Sequence, residues 1–223
     1  MKITGSDKIG FGVLSLFLIG AIIIGFSNEH YFENNFAVED GIVEWTTTLL
    51  LFASSVYLVS RIILLRKAKP KFRMLCTLLL SALFFFGAGE EISWGQRILG
   101  METSEFFEKN NAQKETNFHN LVVGETKINK LIFGQLLTVI LVIYLLIIPY
   151  FYTKWSWLNK LISLFGVPLP RLHHSIAFIA VTALIMIIPS SKRWEVYELA
   201  FAMIFLLIFL NPKNEEIYQK SIL

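Results

Sequence analysis

The stretch Ile42 to Leu65, IVEWTTTLLLFASSVYLVSRIILL, holds one acid near its start and one arginine near its end, with no charged residue between them. A helix rises about 1.5 Å per residue, and roughly 20 apolar residues cross a ~30 Å hydrocarbon core, so this run is long enough to span a bilayer. Reading outward from it, comparable apolar runs occupy 9–26, 72–92, 131–152, 172–188 and 195–210. The last two are short and joined by a Pro-Ser-Ser-Lys-Arg turn, as in a tight helical hairpin. Lys2 and Lys8 precede the first run in the manner of a signal peptide, but the run is long and no small-x-small site follows it, so it reads as a retained helix.

Composition agrees. Of 223 residues, 55% are hydrophobic and 14% aromatic against 17% charged, and the charges lie between the apolar blocks. That balance excludes a soluble enzyme, a nucleic-acid binder and a disordered chain. The expected fold is all-α, a polytopic helical membrane protein with about six spans, organised as one domain over 1–223 and placed in the cell membrane. The single cysteine, Cys76, allows neither an intrachain disulfide nor a Cys cluster for zinc. Orientation follows from short-loop Lys and Arg: Arg61, Arg66, Lys67, Lys69, Lys71 and Arg73 mark a cytoplasmic loop, which puts both termini inside and 95–130 outside.

With that topology the unusual polar residues converge on the outer side. They include Glu33, Asn35, Glu39, Asp40 and Glu44, the motif GEEISWGQR (Gly89 to Arg97), the stretch QKETNFHNL (Gln113 to Leu121), and Arg193, Trp194, Glu195 and Glu198. Counting up from Arg73 at ~1.5 Å per residue places Glu90 about 25 Å along its helix, at the edge of the hydrocarbon. An acid at that depth must be protonated, paired or coordinated. On a continuing helix Glu90, Trp94 and Arg97 share one stripe, which offers Arg97 to Glu90 and leaves Glu91 unpaired. If 113–121 forms a helical turn in the interface, Glu115 and His119 share a face. That pair suits proton transfer or two ligands of a metal, and equally a solvated pair of no chemical consequence. His173 and His174 fall at the inner start of the fifth run and read as interfacial residues, and Trp155, Trp157, Tyr150 and Tyr152 as an aromatic belt.

The combination EDGIVEW, GEEISWGQR, ETNFHN and RWEVYE resembles an uncharacterised family of bacterial multi-pass membrane proteins, a resemblance that implies a membrane fold and no activity. A second stretch, FENNFAVEDGIVEW, is similar to the start of the alkaline ceramidases and related membrane hydrolases. There Glu33, Asn35 and Glu44 would match residues that hold calcium. Those enzymes use three histidines for zinc, with a Ser and an Asp, across seven helices. The four histidines here, His30, His119, His173 and His174, divide between two sides, so the catalytic half is not matched.

The expected function is a polar, carboxylate-rich site at the outer leaflet, a hydrolase or transferase for a lipid or lipid-linked envelope substrate. Candidate catalytic residues are Glu90, Glu91, Arg97, Glu115 and His119. Glu91, Glu115 and His119 are the candidate ligands for a divalent metal. Glu44, Trp94, Gln96, Asn120, Arg193 and Glu198 are candidate substrate contacts, with Arg97 and Arg193 suited to a phosphate or carboxylate head group. Membrane lipids are the expected partners. The alternatives are a non-catalytic partner subunit and a proton- or cation-coupled transporter, the latter disfavoured by acids gathered at one end without a repeat.

Overall fold

The structure, a computed structural model, describes residues 3–65, 71–123 and 135–217. Arg66, Lys67, Lys69 and Lys220, the loop 124–130 and the start of the fourth expected span at 131–134 lie outside the described residues. Those described are mainly helical, with one isolated bridge between Asn111 and Leu121 and no strand. The helices are α1 (Gly5–Ser27), α2 (Ile42–Leu65), α3 (Lys71–Glu91), α4 (Glu105–Asn110), α5 (Leu137–Phe151), α6 (Ser156–Phe165), α7 (Leu172–Met186) and α8 (Arg193–Leu210), with short turns between them. Three are long and apolar enough to cross a membrane, namely α1, the run Ile42–Leu64 of α2, and α3. α5 and α7 are apolar but shorter.

α1 begins earlier than its apolar run because Thr4 caps it. The Thr4 hydroxyl accepts from the Asp7 amide at 3.2 Å, and the Asp7 carboxylate accepts from the Thr4 amide at 3.2 Å, a reciprocal capping box. Along α1, Leu14, Leu18 and Ala21 are buried while Ile9, Val13, Leu16, Ile19 and Ile23 are exposed. An apolar outer face at helical spacing is what a helix in contact with lipid presents.

α8 is the centre of the bundle. It packs against α2, α7 and α1, and α2 packs in turn against α3. Phe84 of α3 sits against Phe205 and Phe209 of α8, with ring centroids 5.4 and 4.8 Å apart. Pro149 interrupts α5 and has no N–H for the carbonyl of Leu145, one turn before it. The hydroxyl of Ser175 on α7 donates to that buried oxygen at 2.6 Å instead.

Two segments depart from the sequence expectation. The helix carrying GEEISWGQR does not continue through the motif: Ser93, Trp94 and Gly95 all take positive φ (47°, 56° and 75°), and α3 ends at Glu91. The stretch 113–121 is not a helical turn either. It runs as turns closed by the bridge from Asn111 to Leu121, and the helix between the kink and this stretch is α4 instead.

Candidate functional site

Side-chain contacts define two ends of the bundle. At one, Glu33 accepts from Ser190 at 2.7 Å, and Glu39 accepts from Gln113 at 2.6 Å and from Lys192 at 3.0 Å. At the other, Arg73 donates to the carbonyls of Ser163 and Ile217 at 2.5 and 3.3 Å, lying so close to Gly166 that a Cβ there would fall 2.2 Å from the arginine's Cγ.

At the first end the kink after α3 and the loop 111–120 lock together. The Glu90 carboxylate is 4% exposed and accepts from the Trp94 indole at 2.8 Å and from the Phe118 and His119 amides at 2.5 and 3.2 Å. Trp94 folds back to reach it, and only a glycine at 89 leaves room, since a Cβ would come 2.8 Å from the indole. Glu115 accepts from the Ser93 hydroxyl at 2.5 Å and pairs with Arg97 at 2.6 Å. Arg97 also pairs with Asp40, so the guanidinium ties the loop to the turn before α2. Burial works against its charge, but the Glu115 and Asp40 carboxylates outweigh burial and hold its pKa above the ordinary arginine value. The side chain of Gln96 donates to Thr103 and accepts from the Thr116 amide at 2.8 Å. Asn117, 1% exposed, donates to Ser93 and accepts from Asn111, each at 2.8 Å.

His119 stands at the edge of this lock. Its Nε2 lies 3.0 Å from the Asn120 amide nitrogen and its Nδ1 3.9 Å from Glu90. An Asn120 amide that donates to Nε2 leaves the ring proton on Nδ1, toward Glu90. Burial holds the imidazole pKa below its ordinary value, against the pull of Glu90, Glu115 and Glu39.

Below the lock runs a seam between α2, α3 and α8. On α2, Glu44, Thr48, Leu51 and Ser55 share a face. Its direction is set by Ser55, whose hydroxyl is 2.9 Å from that of Ser81 on α3, and by Leu51, which lies against Gly87 of α3. Glu91 is two turns above Phe84 on α3, and Glu198 two turns above Phe205 on α8, so the faces that meet as aromatic rings lower down carry carboxylates at the top. Glu44, Glu91, Glu195 and Glu198 lie within Coulombic reach of one another. Glu44 accepts from the Asp40 amide at 2.7 Å, while among the described residues no hydrogen bond or ion pair engages Glu91, Glu195 or Glu198. Along α8 only Trp194 and Glu198 are exposed. Glu198 keeps that surface although Glu44, Glu91 and Glu195 of the neighbouring turns lie within Coulombic reach of it.

The opposite end holds a cluster that local spacing does not reveal. Asp7 and His174 are wholly buried and His173 nearly so. The Asp7 carboxylate accepts from His173 Nε2 at 3.1 Å, His174 Nε2 at 3.2 Å and the Asn211 amide at 3.0 Å. The histidines expected at an interface are therefore part of the interior. One ligand atom from each of Asp7, His173 and His174 lies within 4.8 Å of the others, a spacing a metal could use. The hydrogen bonds favour another arrangement: the Arg171 amide donates to His174 Nδ1 at 3.1 Å, which puts the ring proton on Nε2, where it donates to Asp7. A metal on Nε2 would need the proton on Nδ1, facing that amide. The three residues read as a clamp joining the first turns of α1 and α7 to the end of α8.

Set against the sequence, the structure brings Glu90, Trp94, Gln96, Arg97, Glu115, His119 and Asn120 together, and separately Glu44, Glu91 and Glu198. Arg97 does not pair with Glu90, because the kink turns it toward Asp40 and Glu115. Glu91 does not join Glu115 and His119 in a ligand group. Arg193 donates to the Ile188 carbonyl at 3.0 Å and lies over Trp194, so it does not serve as the partner of Glu44. Glu33 and Glu44 have separate partners and Asn35 is exposed, so the calcium set implied by the ceramidase resemblance is not assembled. Comparison with protein-family models, curated proteins and solved structures finds no match for the chain.

Proposed function

We propose that the chain is a six-span membrane protein whose acid-lined seam faces the extracytoplasmic side and takes a lipid or lipid-linked substrate for hydrolysis or group transfer. The observation that carries this reading is the state of Glu91 and Glu198, accessible carboxylates without a partner beside a rigidly bonded rim. Acids with no structural partner at bilayer depth are functional groups by default. Glu91 is then the acid/base group, with His119 a second proton carrier at the rim. Glu90, Glu115 and Arg97 hold the rim and act by positioning.

The six-span reading draws support from the three helices long and apolar enough to cross a membrane, from the shorter apolar helices α5 and α7 and the helix α8, and from the basic residues of the sequence between α2 and α3. Cysteines introduced at Lys114 and at Lys160 test it: labelling of the first alone by an impermeant reagent in intact cells supports the orientation, and the reverse pattern overturns it. The activity is tested by incubating the purified protein with labelled membrane lipids and following head-group release or transfer. Turnover lost in a folded Glu91→Gln variant supports the reading, and turnover unchanged in that variant removes Glu91 from it. Carriage through the seam is a weaker reading, because Phe84, Phe205 and Phe209 pack together beneath the acids.

A further inference from the structure

The seam between α2, α3 and α8 is short of donors. Its upper part presents Glu44, Glu91, Glu195 and Glu198; among the described residues the one hydrogen bond to this group comes from a backbone amide to Glu44, and the cations that face it, Arg97 and Lys192, are paired with Asp40 and Glu115 and with Glu39. A second observation concerns Thr48. Thr46 and Thr47 turn their hydroxyls back to the carbonyls of Ile42 and Val43, at 2.5 and 3.0 Å. Thr48, next in line, is 6% exposed, and its hydroxyl has no partner. It lies one turn below Glu44 on the face that Leu51 and Ser55 direct at α3, so it is aimed into the seam. A buried hydroxyl left unsatisfied costs roughly 1–3 kcal/mol, and a ligand that pairs with it removes that cost.

The ligand that completes this site must bring positive charge and hydrogen-bond donors. Among the described residues no three of these carboxylates bring oxygens within 4.8 Å of one another, so the close cage of a bare divalent ion is not formed. Separate N–H groups can each reach a different acceptor at ~2.7–2.9 Å, and they suit acceptors that do not converge on a point. The floor is aromatic, Phe84 lying about 10 Å below Glu91 at ~1.5 Å per residue, and Glu44 and Glu91 lie at the ends of α2 and α3, two helices long and apolar enough to cross a bilayer. A lipid head group carries a positive group to that level, directly above hydrocarbon.

We propose that this seam binds the primary ammonium group of a lipid head group, through Glu91, Glu198 and Thr48. The inference rests on reading the seam as a substrate site and narrows the substrate to amine-bearing lipids. Its quaternary counterpart, which has no N–H to donate, binds weakly.

The test uses the full chain in nanodiscs of phosphatidylglycerol doped with phosphatidylethanolamine or phosphatidylcholine, with bound lipid counted by native mass spectrometry. The expected result is at least tenfold preference for phosphatidylethanolamine over phosphatidylcholine. Glu91→Gln and Glu198→Gln should abolish this preference and Thr48→Val reduce it several-fold, in variants whose circular dichroism and elution match the parent. Equal retention of the two lipids, or a preference untouched in all three variants, overturns the proposal. In a parallel arm ethanolamine and spermidine are offered without lipid. Competition by either at concentrations matching the doped lipid would keep the ammonium chemistry and move its source to a soluble amine, overturning the lipid assignment. Selective binding without turnover would sink the enzymatic reading and leave this one standing, whereas turnover of an amine-free lipid would do the opposite.

Discussion

Glu90 and Glu91 are neighbours in sequence and opposites in bonding. Glu90 accepts from an indole and two backbone amides, and Glu91 accepts from nothing among the described residues. The difference arises at the kink that follows. Ser93, Trp94 and Gly95 bend the chain so that Trp94 and the loop 117–119 return to the face of Glu90, while Glu91, about 100° around the helix, looks into the seam. Glu90→Gln is therefore expected to lower stability by about 1–3 kcal/mol, since it weakens three charge-assisted bonds at once. Glu91→Gln should leave stability unchanged or slightly raised, because it removes like-charge repulsion and no bond. Thermal unfolding in detergent checks both, and equal losses would assign Glu91 a structural role.

The pH dependence of the docked loop follows from His119. Its pKa is held below the ordinary value of 6.5 in the fold, so the unfolded or undocked state binds the proton more readily. The contribution is complete above about pH 6.5 and falls away as the pH drops below it. Hydrogen exchange at the Phe118 and His119 amides, corrected for intrinsic rates, should quicken between pH 7.5 and 5.5, and His119→Gln should flatten that response. Identical profiles in the two proteins would place the titrating group elsewhere.

The Asp7 clamp makes a prediction that separates hydrogen bonding from metal binding. Asp7→Asn removes the charge that two buried imidazoles and the Asn211 amide donate to, and should cost about 2–4 kcal/mol. Zinc added to the parent, or chelator in its place, should leave the melting temperature where it was. A rise with zinc that disappears in His174→Ala would show that the cluster holds metal.

Ser175→Ala should cost about 1–3 kcal/mol, because it leaves the Leu145 carbonyl buried and unpaired. Pro149→Ala restores an N–H one turn away and should recover part of that loss. Strict additivity of the two changes would show that the Ser175 bond and the proline are independent.

Much of this architecture was legible in the sequence, for a physical reason. A lipid-spanning helix must be apolar over its length, so the apolar runs mark α1, α2 and α3 within a few residues. The gathering of Glu90, Trp94, Arg97, Glu115 and His119 at one end was legible too, because connectivity alone brings those segments to one level. What the sequence hid was direction. Ser93 and Trp94 have no preference for positive φ, and only Gly95 hints at the kink, so a helical extrapolation gave Arg97 to the wrong acid. The burial of His173 and His174 was hidden for a different reason. Their partner is an aspartate 166 residues away, and nothing in the local spacing of either segment points to the other.

The clamp at Asp7 also bears on the order of synthesis. Asp7 leaves the ribosome 166 residues before His173 and 204 before Asn211, and it sits in the first turn of the first apolar helix. During nearly the whole of translation that carboxylate has its own cap and water for company. It can enter the protein interior only when α7 and the end of α8 arrive, so burial of Asp7 is a late event that marks a fully assembled bundle. A chain truncated before Asn211 should remain recognisable to quality-control proteases through this one unsealed corner.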